Sequence, residues 1–432
     1  MRRALLITYH YPPRPDIGSV RPRGLSKYLP EFGWETIVLT PRLPDGPRPP
    51  GRVIETAYRD VLADWKARLG LEATRGLHEQ IKLPVSSVPR TKCFHTRAID
   101  WVKSAITYPD PIKGWVPFAI EAVREFAENE KVDAILSSAP PVSCHLIGRR
   151  AKEILKCPWL ADFRDLWTQD FYYPHGRVRR VAEARLEKRT LGSADALVTV
   201  SAPLAQLLRE KFSKLPVTWI TNGFDPEEFP HEGPELTKTF SITYTGQMYQ
   251  GKRDPGLVLK VVADLVREGI LRQSEARLRF YGPTEPWLPA LVQRCGLDGT
   301  VEIHGVVPRD AALAHQRESQ LLLLLPWRDA TEVGAYTGKV FEYLGSKRPI
   351  LAVGGAPGVI AELLDETKAG VHVGSEARLR EFLIEAYADF CRYGHVPYKG
   401  SETAIQHYTH IEMARNFAAI LDQISKESGN GS

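Results

Sequence analysis

Sulfur is scarce in this sequence. Cys93, Cys144, Cys157, Cys295 and Cys391 are its only cysteines in 432 residues. An odd total with no Cys-x-x-Cys pair supplies neither a disulfide framework nor a zinc knuckle, and a reducing cytoplasm is the compartment such usage implies. No apolar run is long enough to span a bilayer, and the basic start Met1-Arg2-Arg3 leads into a stretch too short for a secretory signal. The leucines 321–325, bounded by Gln320 and Pro326, read as a buried parallel strand. A strong charge is missing too: the net charge of +5 is too weak to indicate nucleic acid, but it suits phosphorylated substrates or an anionic membrane surface. No Gly-x-Gly-x-x-Gly follows the first strand, which makes a nicotinamide dinucleotide site the weakest reading. No Asp-x-Asp element stands at a strand end, so no metal site and no dependence on divalent cations is expected.

What is present is an ordinary globular composition, 43% hydrophobic and 25% charged, long enough for two or three folding units. Residues 4–8 read as a buried strand, the turn-formers from His10 to Ser19 as a loop, and residues 21–32 as a helix capped by Gly33. A second strand follows at 34–40, and the rhythm returns at 134–138, 159–162 and 196–200, which predicts a parallel α/β sheet. Between Pro41 and Pro109 the pattern is less regular. A Pro/Gly-rich loop at 44–51 precedes expected helices carrying Trp65, Leu69, Ile99, Trp101 and Ile106, a helical insertion for which contact with a membrane or acceptor is the lesser reading.

The breakers Pro230-His231-Glu232-Gly233-Pro234 suit a hinge. A second cycle then opens with a strand at 241–246 and a helix at 257–268, and continues with strands at 278–282, 301–305, 321–325, 349–353 and 371–373. Apolar residues at helical spacing from Ile411 to Ile424 predict a terminal helix. The expected organisation is residues 1–232 as one Rossmann-like lobe, 233–410 as a second and 411–432 as a helix and tail, with a cleft between the lobes at the strands' carboxyl ends.

Several separated segments resemble the retaining glycosyltransferases of family four, which have two Rossmann lobes (the GT-B fold). In the first lobe these are Tyr11-Pro12-Pro13 with Asp16-Ile17-Gly18-Ser19 and Leu25-Ser26-Lys27-Tyr28-Leu29, followed by Asp162-Phe163-Arg164-Asp165, Val200-Ser201-Ala202-Pro203 and Thr221-Asn222-Gly223-Phe224. The resemblance implies that Gly18 and Ser19 let backbone amides approach donor phosphates, although Gly18 alone reads rather as a turn. Arg164 stands where the family carries histidine, with Asp165 beside it. The arginine either meets a phosphate or an acidic acceptor, or pairs with Asp162 or Asp165 to hold the loop. Asn222-Gly223 reads as a tight turn.

In the second lobe, Gly246-Gln247 through Gly251-Lys252-Arg253 resembles the element that grips the diphosphate, with Gln247 in place of the family's arginine and Lys252 at the lysine's spacing. Such a cation acts most strongly as charge builds on the leaving oxygen, and Arg253 is a candidate to compensate for Gln247; read alone, the pair is a solvated basic turn. The segment Thr337-Gly338-Lys339-Val340-Phe341-Glu342-Tyr343-Leu344-Gly345 resembles the family's glutamate helix. The resemblance assigns Glu342 to the ribose hydroxyls; the alternative is a surface carboxylate paired with Lys339 or Ser346. The first glutamate of the family pair is replaced by Gly334, which leaves Glu332 as the nearest carboxylate and Gly338 and Lys339 as better candidates for the distal phosphate.

The family resemblance further implies a terminal helix returning to the first lobe, a UDP- or GDP-sugar donor with no cofactor, a glycan or lipid-linked acceptor, retention through a short-lived ion pair, and work in the cytoplasm or at the inner face of a membrane. A sugar-nucleotide epimerase and a noncatalytic nucleotide-sugar binder are the rival readings.

Overall fold

A computed structural model describes residues 1–14, 16–49, 51–68, 102–230, 232, 234–327 and 334–429. The chain divides into two compact units. One comprises Met1–Val200, Leu204–Ile220 and Ala414–Ser432, the other Ser201–Pro203 and Thr221–Met413.

The first unit is built on a seven-stranded sheet of order β3-β2-β1-β4-β5-β6-β7. The strands are β1 (Arg2–Thr8), β2 (Trp34–Pro41), β3 (Arg52–Thr56), β4 (Ala134–Ala139), β5 (Trp159–Phe163), β6 (Ala196–Thr199) and β7 (Val217–Trp219). All pairs are parallel, and the central strands β4, β5 and β6 are buried along their whole length, with apolar residues in most but not all positions, because helices cover both faces. Leu5 and Ile7 of β1 join a core with Trp115, Ile147 and Trp159, while Ala4 and Leu6, buried as well, alternate with them on the strand. The expected helix is Val20–Tyr28, prolonged by a tighter turn over Leu29–Phe32, and Gly33 ends it in the left-handed region at φ 82°.

Two edge strands correct the sequence reading. The interval after Pro41 holds β3 before its helix Val61–Arg68, which carries Trp65; residues 102–106, with Ile106, are also helical. Leu69, Ile99 and Trp101 lie outside the described residues. Strand β7 is the other omission. Both are short, flank the sheet and are only partly buried, so neither shows a run of apolar residues. The Asn222-Gly223 turn is also corrected. Gly223 lies on an extended segment whose next residue, Phe224, pairs with Thr409, and a Cβ at Gly223 would come 2.7 Å from the Tyr408 carbonyl.

The helix His410–Gly429 contributes its residues from Ala414 onward to the first unit. Asp422 accepts a hydrogen bond of 2.7 Å from the Trp34 indole and pairs with Arg2, and the Arg21 guanidinium lies 4.8 Å from the Phe417 ring centroid.

The second unit has a six-stranded parallel sheet of order β10-β9-β8-β11-β12-β13. Its strands are β8 (Phe240–Thr245), β9 (Ala276–Tyr281), β10 (Val301–Gly305), β11 (Leu321–Leu324), β12 (Ile350–Val353) and β13 (Gly370–Val373). The leucine run alternates between two cores: Leu321 and Leu323 pack with Val258, Val262 and Leu383, whereas Leu322 and Leu324 pack with Val340, Phe341 and Leu363. A strand covered on both faces needs that uninterrupted pattern. Among the described residues no helix is long and apolar enough to cross a membrane, and no cluster of side chains suits a metal ion.

Candidate active site

In each sheet the chain order reverses beside the first strand, and the loops leaving the two diverging strands bound the crevice where doubly wound sheets bind ligands. In the second unit those strands are β8 and β11. Gly246 follows β8 with φ 113°, a conformation that disfavours any Cβ. Space forbids one as well, because a Cβ there would lie 2.3 Å from Cε of Lys339. Lys339 stands in the first turn of the helix Gly338–Ser346, whose capping residue Thr337 makes no side-chain bond to that turn. The lysine stem therefore crosses directly over the Gly246 backbone, and its Nζ reaches 3.2 Å from the Tyr244 hydroxyl.

That position changes the lysine's chemistry. Burial, reinforced by nearby Arg253 and opposed by Glu342, lowers the Lys339 ammonium to about 7. An anion arriving at Gly246 would restore the charge, so this side chain is poised to gain a proton with its ligand. Tyr244 beneath it is also buried; its hydroxyl donates to the Gln247 carbonyl at 2.7 Å, and burial pushes its phenol up.

The basic turn after Gly246 is folded onto an aromatic ring. Lys252 Nζ and the Arg253 guanidinium each lie 5.3 Å from the ring centroid of Trp327, the residue that follows Pro326 after β11. Tyr249 approaches the same ring at 5.3 Å and forms an antiparallel bridge with Arg253. Lys252 and Gln247 are exposed, whereas Arg253 is half-buried with its Nε unpartnered. Pinning both cations on one indole restricts them to the space between the loops after β8 and β11. Trp327 escaped the sequence reading; its signal was an aromatic placed just past a buried strand at the switch point.

Glu342 lies one helical turn beyond Lys339, on the same face. Its carboxylate pairs with Arg309 at 2.6 Å, and the other arm of Arg309 holds Glu228 at 2.9 Å. Neither partner expected from the sequence holds the carboxylate: the Ser346 hydroxyl donates to the Glu342 backbone carbonyl instead. Burial opposes the charge on Arg309, but the two carboxylates outweigh it and hold the guanidinium above its ordinary range. A second feature missed in the sequence lies at the end of β9, where the Tyr281 ring is stacked between His304 at 4.5 Å and His315 at 4.4 Å. Glu332 falls outside the described residues, and Gly334 is buried.

In the first unit the diverging strands are β1 and β4, and Arg164 ties their loops together. Its guanidinium donates to the carbonyls of Gly18 and Pro140, and its Nε to that of Ala139 at 3.3 Å. Gly18 is small because Arg164 and His10 press on it: a Cβ would come 2.5 Å from Arg164 Nη1 and 2.8 Å from the His10 ring. Ser19 turns inward, its hydroxyl donating to the Asp16 carbonyl at 2.6 Å. The expected pairing of Arg164 with Asp162 is replaced by a bidentate pair of Asp162 with Arg21, 2.8 and 3.1 Å long and buried, to which Ser138 adds a bond of 2.8 Å.

Burial lowers Arg164, against the pull of Asp162, and raises the carboxyl of Asp165, against the pull of Arg164. His10, which bonds Asp16 at 3.1 Å, is lowered by burial and by Arg164. This loop cluster thus gathers one clamped guanidinium, an imidazole lowered by its surroundings and a carboxyl that opens to the surface yet is crowded enough by the surrounding loops to be raised.

Residues 19–228 match the model of Glycosyltransferase Family 4. No curated protein matches the chain. Among solved structures it is similar to HepE from Anabaena, solved with UDP, at 12% identity and a TM-score of 0.63 over 98% of this chain and 100% of that one. It is also similar to sucrose-phosphate synthase from Thermosynechococcus elongatus, at 15% identity and a TM-score of 0.56 over 100% and 98% of the two chains. A glycosyltransferase from Rickettsia africae shares 12% identity, with a TM-score of 0.59 over 98% of each chain. Identities this low carry the fold alone. Residues 19–228, just under half of the chain, are therefore similar to a Glycosyltransferase Family 4 domain, and the chain as a whole has the two-sheet GT-B fold.

Proposed function

We propose that the protein transfers a sugar from a nucleoside diphosphate donor to a glycan or lipid-linked acceptor, with Lys339 as the main cation at the donor diphosphate. The observation that carries this reading is the path of the Lys339 stem across Gly246 at the β8 switch point, next to Arg253. Gln247 has no charge to offer, and Lys339 supplies the missing one from the opposite side of the loop. Gly338 adds backbone N–H groups at the helix start, and Glu342 accepts the ribose hydroxyls, with Arg309 fixing its orientation.

In the transfer, the bond between the anomeric carbon and the diphosphate oxygen breaks first. The acceptor oxygen then bonds the same face of the sugar, and its proton passes to the departing phosphate, so configuration is retained. Negative charge grows on the leaving oxygen throughout. A cation fixed beforehand stabilises that oxygen more in the transition state than in the bound donor. Lys252 and Arg253, held on Trp327, extend the same field, and with these cations the reaction needs no divalent metal. HepE was solved with UDP and glucose, which makes a uridine donor the first to test and a guanosine donor the second.

Thermal unfolding against nucleoside diphosphates, their sugar conjugates and nicotinamide dinucleotide tests the reading, since selective binding stabilises the native protein. One nucleoside diphosphate and its sugar should raise the midpoint, and Lys339→Met should abolish that shift. A shift that survives Lys339→Met removes the lysine from the site. Conversion of the donor sugar to its epimer, with neither transfer to an acceptor nor net release of nucleoside diphosphate, would instead identify an epimerase.

A further inference from the structure

The helix Arg177–Leu191 in the first unit sorts its charges by face. Both of its acids point inward: Glu183 is 2% and Glu187 0% exposed. Arg179 pairs with Glu183 at 2.6 Å, the Trp167 indole donates to Glu183 at 2.9 Å, and Lys211 pairs with Glu187. Val178, Val181, Ala182, Arg185, Lys188 and Arg189 recur at spacings of three and four and are all exposed, so they share the outer face. Val178 is 87% and Val181 53% exposed, and the loop leading into the helix adds Phe171 at 43%.

With Arg177, this face carries four cations, Arg177, Arg185, Lys188 and Arg189, on a chain whose net charge is +5; Arg180 is turned aside, its Nε donating to the Thr168 carbonyl at 2.8 Å. No carboxylate of this helix accompanies them. Arg177, Arg185, Lys188 and Arg189 form no ion pair among the described residues. The sequence reading looked for membrane contact between Pro41 and Pro109, whereas this surface lies elsewhere and showed no apolar periodicity to find.

We propose that this face rests on an anionic lipid bilayer, its arginines and lysine on lipid phosphates and Val178, Val181 and Phe171 at the acyl boundary. A membrane is the partner that takes both halves of the pattern: phosphates meet the cations, and hydrocarbon meets valines that the fold leaves in water. RNA or another polyanion would use the cations and leave the valines idle. Long basic side chains also suit an interface, because their stems lie along the apolar layer while their heads stay wet. The inference is independent of the donor site and stands or falls separately.

The test is cosedimentation of the full chain with vesicles of phosphatidylcholine alone, or of phosphatidylcholine and phosphatidylglycerol in equal parts. Binding is expected only to the mixed vesicles and should weaken with added salt. Val178→Asp with Val181→Asp, and separately Arg185→Glu with Arg189→Glu, should each lower partitioning by ~10-fold or more. All four positions are exposed, so thermal unfolding and the response to nucleotide should stay as in the parent. Equal binding to both vesicle types, or unchanged partitioning of both double variants, overturns the proposal. If only the arginine variant loses binding, the surface is a general polyanion site and the membrane assignment falls.

Discussion

Arg309 grips Glu342 at 2.6 Å while its second arm holds Glu228 at 2.9 Å, so the carboxylate proposed for the ribose is oriented before any ligand arrives. The Gln316 amide reaches the other oxygen only at 3.5 Å, a long bond that a pair of adjacent hydroxyls can displace.

Glu342→Ala should therefore weaken nucleotide affinity by about tenfold or more, the scale of one or two hydrogen bonds to a charged group. Folding should change little, because Arg309 retains Glu228. Calorimetric titration with the stabilising nucleotide checks this, and an unaltered dissociation constant would take Glu342 out of the site.

The lowered Lys339 gives a pH signature. Free protein loses this proton near pH 7, whereas a bound diphosphate raises the ammonium again. Below that pH both states are protonated and affinity is flat. Above it the complex holds more protons than the free protein, so affinity falls by up to about tenfold per unit as pH rises. An intact nucleotide sugar should show this decline, since its diphosphate has no titrating oxygen in that range. The profile should flatten in Lys339→Met, and a wild-type affinity that is flat from pH 7 to about 9 would contradict the assignment.

Asp162 and Arg21 are buried together, so removing one partner strands the other. Asp162→Ala should cost about 3–5 kcal/mol in the first unit, while replacing both residues with apolar ones of similar size should cost much less. Urea unfolding of the single and double variants measures the difference. Equal losses would mean that the pair is not coupled.

His145 lies in the same unit with its Nδ1 2.8 Å from the Ser137 hydroxyl and its Nε2 unpartnered. Burial, with Arg164 adding to it, lowers the imidazole to about 3. The unfolded chain takes up this proton near 6.5 and the folded one does not, so stability is complete above pH 6.5 and is lost as pH falls toward 3. The loss amounts to several kcal/mol, ~4 at the low end of the window. His145→Gln keeps an acceptor for Ser137 and should flatten that slope in urea unfolding between pH 7 and about 4. An unchanged slope would mean the acid sensitivity arises elsewhere.

The strands of both sheets were legible where burial on two faces forces an unbroken apolar run, as at Ala4 to Ile7 and along the leucines from 321. Gly33 was legible because a helix stop needs the left-handed region. Strands β3 and β7 were not, since an edge strand half in water has no such run. Site residues divide along the same physical line. Glu342 and Lys339 sit at fixed helical spacing, so a local motif captures them. The partners of Arg164 are carbonyls on loops distant in sequence, and a carbonyl leaves no mark on residue identity. Arg309 is joined to the site by tertiary contact alone, and its neighbours in the chain give no hint of it.

The pairing of Asp422 with Arg2 and Trp34 sets an order of assembly. The first sheet is complete early in the sequence, yet its unit is closed by residues from Ala414 onward, which emerge from the ribosome only after the whole of the second unit has been made. During that interval, the surface that receives Phe417 and Leu421 stays bare. The half of the protein that is synthesised first is therefore the half that is finished last.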